Sequence, residues 1–364
     1  MRAGKKKILL VAAACVAVGL LISFVALAAM DFNFFEMSTL EPVTNTYTPA
    51  QAFTGISVSG AECDVQLLPS ENGACKVVCN ETDKITHTVA VENGTLTIRS
   101  VDNRKWYEHI GFYWNITRPI QVLIYLPDRA YDTLAVRTAS GTVDVPSDFS
   151  FTRADVDSAS GDIRFAAAVS GDLSVKSVSG NVEVSGTDPQ NLTAQSTSGD
   201  VKVASVSVGA AFYAKTISGV QRISQVSCQS AEIYATSGDV TVDSLKASGT
   251  FSCRTISGWQ KLSSVTCQSA EIHSTSGDAA LSDLIASESI RMETVSGNLT
   301  LIRCDAASLW LKTVSGNVNG TLLTEKVFAA STASGRIRVP DTSSGGKCEV
   351  KTTSGNITLE VQDR

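Results

Sequence analysis

Four acids stand in one column of this sequence: Asp162, Asp200, Asp239 and Asp278 each follow the Gly of a Ser-Gly dipeptide. Carboxylates at a fixed offset could share calcium or, in pairs, do acid–base work, since both need oxygens brought to one point. The spacing argues against either. Asn181, Val220, Trp259 and Asn298 intervene, so the acids lie two repeats, roughly 10 Å, apart along stacked strands. Their alternation with neutral residues avoids like charges facing each other. A second column, two residues before each Ser, is Ser or Thr from Thr138 to Thr352 in eleven of twelve repeats, Ala235 being the exception. Threonine rows on a flat outer face suit ice binding, but parity puts this row on the apolar side. A hydroxyl ladder satisfying backbone groups at an inner corner is predicted instead.

Residues 106–114, WYEHIGFYW, form the densest aromatic run of a chain only 6% aromatic. Trp106, Tyr107, Phe112, Tyr113 and Trp114 are the candidate binding residues, as aromatic faces stack on sugar rings or meet a membrane surface. The competing reading folds the same residues over the first repeat as a plug. Of nine cysteines, Cys15 belongs to an apolar leader, and Cys253 and Cys348 fall in apolar columns and are expected as buried hydrophobes. Cys228 and Cys267 occupy equivalent positions two repeats apart, beyond bonding range. Cys63 and Cys79 flank a turn at residues 70–73 and could pair across it. No Cys-x-x-Cys occurs, and His87, His109 and His273 are scattered, so neither metal nor cofactor is expected.

The elements behind these columns follow from the period. Ser-Gly recurs at Ser140, Ser160, Ser179, Ser198, Ser218, Ser237, Ser257, Ser276, Ser296, Ser315, Ser334 and Ser354, every nineteen or twenty residues. A fixed period of about twenty marks a solenoid, in which each coil buries its apolar face on its neighbours. Positions six and four before each Ser are nearly all apolar, as in Leu173 and Val175 or Ala231 and Ile233. The position between the fourth and the Ser-Thr column is mostly polar, as in Arg137, Lys176, Lys215 and Lys351. Such alternation is a half-buried strand entering the dipeptide. Apolar positions three and five after the Ser, such as Val182 and Val184, give a second strand leaving it, and a variable second turn closes the coil. The glycine is assigned to a bend with positive φ. Residues 216–238 return as 255–277 with sixteen of twenty-three positions identical, so the array grew by copying.

The expected fold is therefore all-β: a single-stranded β-solenoid of about twelve 19–20-residue coils over residues 134–364, with a β-rich N-terminal cap at 53–133. A hairpin is placed at Asn93-Gly94. Before the cap, residues 31–52 read as a stalk, and residues 1–30 as a cytoplasmic basic segment and transmembrane anchor. MRAGKKK precedes an uncharged run from Ile8 to Met30, long enough for one spanning helix, and positive-inside orientation leaves the bulk extracytoplasmic. A cleaved signal peptide competes, since Ala26-Leu27-Ala28 resembles a cleavage site, but the run exceeds the usual signal core. Without the four basic leader residues, 26 Lys and Arg face 36 Asp and Glu, about −10, which argues against nucleic acid or anionic lipid as partner.

IQVLIYLPDRAYDTLAVRTASGTVDV at residues 120–145, the serial T-x-S-G-D/N-V turns after it, and the earlier segments GISVSGAECDVQLLPS and NGTLTIRS resemble the bacterial putative-adhesin family of β-strand repeats, the toastrack domain. The resemblance covers residues 53–362. It implies an envelope-anchored protein, often of Gram-positive bacteria and from envelope-stress gene neighbourhoods, with no catalytic residues. The cysteine count and the turn residues Val220 and Trp259 depart from the pattern. The functional expectation is a non-enzymatic cell-envelope rod that binds a glycan, a surface protein or its own kind. The alternative is a carbohydrate-active β-helix enzyme, a polysaccharide lyase or hydrolase, against which the uniform spacing argues, since it leaves no insertion after Ser140 to gather a catalytic cleft.

Overall fold

The computed structural model describes residues 16, 18–21, 42–82, 84–103 and 120–362. Nine strands build the first part: β1 (Pro42–Tyr47), β2 (Gly55–Glu62), β3 (Asp64–Pro69), β4 (Lys76–Thr82), β5 (Ile85–Glu92), β6 (Thr95–Asp102), β7 (Gln121–Leu126), β8 (Ala130–Ser140) and β9 (Val143–Val145). From β8 onward the chain is an all-β solenoid, with eleven turns between the first Ser-Gly and the last.

Each coil has a strand running into the Ser-Gly corner and one leaving it, and both pair in parallel with their counterparts in adjacent coils. The inward columns stack residue on residue. Val136, Val156, Val175, Ala194, Ala214, Ile233, Cys253, Ile272, Met292 and Leu311 are successive Cα partners, each at most 1% exposed. That is the core the periodicity predicted.

The second turn is more regular than expected. Ser205, Gln225, Ser244, Ser264, Asp283 and Arg303, each seven residues after a corner Ser, have φ between 52° and 60°. This left-handed corner redirects the chain into a short third strand, paired at Val206, Val226, Leu245 and Val265, so these coils are three-sided. The Ser-Gly glycines behave differently from the expectation. Of the twelve, Gly141 alone has positive φ. The others are required because a Cβ would strike the stacked carbonyl below, as Gly219 would at 2.0 Å from the Gly199 oxygen.

Both ends depart from a simple stack. At the N-terminal end β2 and β3 form a coil that lies on β8 and β9, and β6 and β7 form a further coil on its outer side. At the other end the tenth corner strand, Ser308–Ser315, pairs with Gly346–Ser354, which in turn pairs with Lys326–Ser334. The twelfth coil is thus inserted between the tenth and the eleventh, and the eleventh ends the rod. Its inward Phe328 and Ala330 are accordingly only partly buried.

The segment expected as a cap, 53–133, therefore contributes two coils as well as a lid. The lid is antiparallel: β5 on β6, β4 on β7 and β1 on β4. Asn93 and Gly94 both take positive φ at the expected hairpin. The expected stalk, 31–52, supplies β1. Pairing of Cys63 with Cys79 does not occur, and all eight described cysteines are free and buried. The turn at residues 70–73 joins strands that are not neighbours, because β7 lies between β3 and β4. Among the described residues no helix is long and apolar enough to cross a membrane. Most of the expected anchor, residues 8–30, lies outside them.

Candidate functional site

The two columns that invited chemistry are occupied by backbone. Ser196 Oγ donates to the Gly180 carbonyl at 2.8 Å and accepts from Gly199 N–H at 2.9 Å, and Thr216 repeats this one coil on at 3.1 Å each. Thr313 and Thr352 likewise donate to the stacked glycine carbonyls. The hydroxyl ladder is as expected. The acids do the same on the outside of the corner: Asp162, Asp200, Asp239 and Asp278 each accept the backbone N–H of the next coil at 2.7–2.8 Å. Asn181, Asn298, Asn317 and Asn356 fill the same role. This is a side-chain-to-backbone rung at the corners that carry Asp or Asn, and it occupies Oδ1 of each of the four acids.

Burial pushes the thiols of Cys253, Cys348 and Cys79 up to about 12 and those of Cys63, Cys75, Cys228, Cys267 and Cys304 up to about 11, so burial disfavours the thiolate form of each.

A trough of about 890 Å³ runs beside the corner on the outer face of the strands that enter it. It crosses from Ser100 and Asp102 on β6, over Ser59 to Ala61 on β2 and Ala139 on β8, to Val178, Thr197 and Ile217. Seven stacked strands at about 4.8 Å spacing make it roughly 29 Å long. Its depth comes from small residues, Ala61, Ala139 and Ala159, in the column that further along carries exposed Val178, Ile217, Ile256, Val295 and Val314. One wall carries Arg137, Asp157, Lys176, Gln195 and Lys215. Burial raises the Asp157 carboxyl above its ordinary range, with Asp155 adding to it and Lys176 and Arg137 opposing. Arg137 lies 3.7 Å from both carboxylates.

The aromatic candidates Trp106, Tyr107, Phe112, Tyr113 and Trp114 lie outside the described residues; β6, which leads toward them, ends at Asp102 on the trough wall. Sequence reasoning missed the trough because its signal is a run of small residues rather than of reactive ones. It also missed a meeting of Cys79, Glu81 and His87, whose donor atoms lie within 4.8 Å of one another in the lid. The available signal was Cys79 and Glu81 alternating on one strand, with His87 just past the next turn.

Residues 53–211 and 190–360 each match the Toastrack DUF4097 family, together spanning nearly the whole solenoid. The chain belongs to that family. Among solved structures, this toastrack chain is similar to a putative adhesin of Bacteroides fragilis NCTC 9343, 14% identical with a TM-score of 0.26, covering 88% of this chain and 97% of that one. It is also similar to a putative cell adhesion protein of Clostridium sporogenes ATCC 15579, 7% identical with a TM-score of 0.18, covering 88% and 100%. A third is a putative lipid binding protein of Parabacteroides distasonis ATCC 8503, 15% identical with a TM-score of 0.30, covering 89% and 97%. No curated protein matches the toastrack chain.

Proposed function

We propose that the protein is a non-enzymatic, extracytoplasmic binding rod that takes an envelope glycan along the trough beside its Ser-Gly corner. One observation carries this reading: the trough presents hydroxyl, amide and cationic side chains at a constant strand spacing over several coils, which suits a ligand that is itself an extended repeating chain. The proposal extends to Trp106, Tyr107, Phe112, Tyr113 and Trp114, whose ring types suit stacking on sugars. Replacing Arg137, Lys176 and Lys215 together with Ala is expected to weaken binding to purified envelope glycan about tenfold or more at unchanged melting temperature, each exposed charged contact contributing about 0.5–1 kcal/mol. Unchanged affinity contradicts the site. Replacing Trp106 and Trp114 with Ala divides the remaining readings, since lost binding supports stacking and lowered melting supports the plug.

A second reading is favoured by Asp155 and Asp157, two carboxylates on one strand, the latter held above its usual range. Paired carboxylates of unequal acidity are the means of glycoside hydrolysis. Release of reducing ends from the polymer, lost in Asp157→Asn, would replace the non-enzymatic reading with this one.

Membrane anchoring through residues 8–30 is part of the proposal. It is supported by the basic leader, the uncharged run and helical residues that expose Val16, Val18, Leu20 and Leu21. Protease added outside intact cells should degrade the C-terminal bulk and spare an N-terminal tag; protection of the C-terminal end reverses the topology.

A further inference from the structure

The lid at the N-terminal end holds a polar cluster that its strand ladders do not explain. Cys79 and Glu81 alternate on β4, so both side chains share its inner face, and His87 on β5 meets them there. All three residues are buried, Cys79 fully, Glu81 to 3% and His87 to 5% exposure. Glu81 Oε1 accepts the His87 backbone N–H at 2.7 Å and lies 3.1 Å from its Nδ1, while Asn45 Nδ2 of β1 donates to Oε2 at 2.6 Å. Nδ1 and Oε1 thus face each other, and the donor atoms of Cys79, Glu81 and His87 lie within 4.8 Å of one another. Nε2 is buried without a hydrogen bond, so hydrogen bonds alone do not satisfy the cluster. The strands involved also lack a common ladder, as β4 pairs with β7 and β1 while β5 pairs with β6.

We infer that Cys79, Glu81 and His87 bind one divalent ion of the zinc class, which ties β4 to β5. Sulfur, imidazole and carboxylate together suit zinc; calcium and magnesium take all-oxygen shells. A thiolate and a carboxylate cancel the charge of a divalent ion, so the loaded cluster is neutral in a buried position, whereas a monovalent ion would leave a net negative charge there. Binding replaces the Cys79 S–H bond with an S–metal bond and releases the proton to solvent, without oxidation or reduction. Water fills the fourth position of the tetrahedron. Nδ1 and Oε1, 3.1 Å apart, stand at the separation of two donors on one tetrahedral ion, so the ion enters between them.

Cobalt(II) serves as the probe, with the full-length chain in detergent, both titrated folded and refolded with the ion present. One cobalt per chain with a near-ultraviolet thiolate-to-cobalt absorption band is expected. Cys79→Ser should lose the band, and His87→Gln should weaken binding about tenfold or more. Zinc should raise the melting temperature of the unaltered chain and leave Cys79→Ser unmoved. A band that survives in Cys79→Ser, or retention of no more ion than that variant by either route, overturns the site. Variants whose melting falls equally with and without zinc show a clamp only.

Discussion

Ile233→Asp is expected to unfold its own coil and loosen both neighbours. Ile233 is fully buried, stacked between Ala214 and Cys253 in the inward column, and its replacement adds two losses. Truncating a buried aliphatic side chain costs about 2–5 kcal/mol, and burying a carboxylate without a partner costs several more. Their sum rivals the whole stability of a typical domain, about 5–15 kcal/mol. In a solenoid the damage should stay local, because each coil contacts only the coils above and below. Hydrogen exchange should therefore show lost protection over residues 212–262 with protection retained near Val143 and Ile163. Ile233→Val, which keeps the column apolar, should cost only about 0.5–1.5 kcal/mol. An unchanged melting temperature for the Asp variant would remove Ile233 from the core.

The inward columns were legible because period and parity act on every coil alike: a residue four before the Ser has no other place to go once Val136 or Val175 is inside. The hydroxyl ladder was legible for the same reason. What the period could not carry was anything that distinguishes one coil from another. Twelve Ser-Gly units are interchangeable as sequence, so the placement of residues 346–361 between coils ten and eleven had almost no signal. One clue was Arg336, standing where Asn317 and Asn356 accept the next coil's N–H. Arginine has no acceptor to offer and its coil is the outermost, but Val220 and Trp259, equally without an acceptor, stand at the same position in interior coils.

The trough and the lid cluster were hidden for a different reason. Each depends on residues far apart in sequence that strand pairing brings together, Ser100 to Ile217 in one case, Asn45 to His87 in the other. Chemistry was sought in the columns with the most reactive side chains. Those columns proved to be the scaffold, because a corner that repeats along the rod has many buried backbone groups to satisfy and hydroxyls and amides are the residues that satisfy them.

Gly238→Ala is expected to lower stability by about 3 kcal/mol or more, and the reason separates two accounts of the corner glycines. If they served backbone freedom, Gly238 would tolerate Ala, since its φ is not in the left-handed region. Close stacking says otherwise. A Cβ on Gly238 would lie 1.7 Å from the Gly219 carbonyl oxygen, far inside contact distance and against backbone that is itself held in the parallel ladders. Overpacking a well-filled core costs about 1–3 kcal/mol, and here relief requires separating two coils, which also disturbs the Gly258 rung above, where a Cβ on Gly258 would lie 2.2 Å from the Gly238 oxygen. Gly94→Ala is the contrasting variant. Its φ of 75° demands a left-handed residue, yet a Cβ there meets open space, so the cost should be about 1–2 kcal/mol. Denaturant midpoints measured side by side decide the matter: a Gly238→Ala loss no larger than that of Gly94→Ala would mean that the corners do not stack as closely as their carbonyl contacts require.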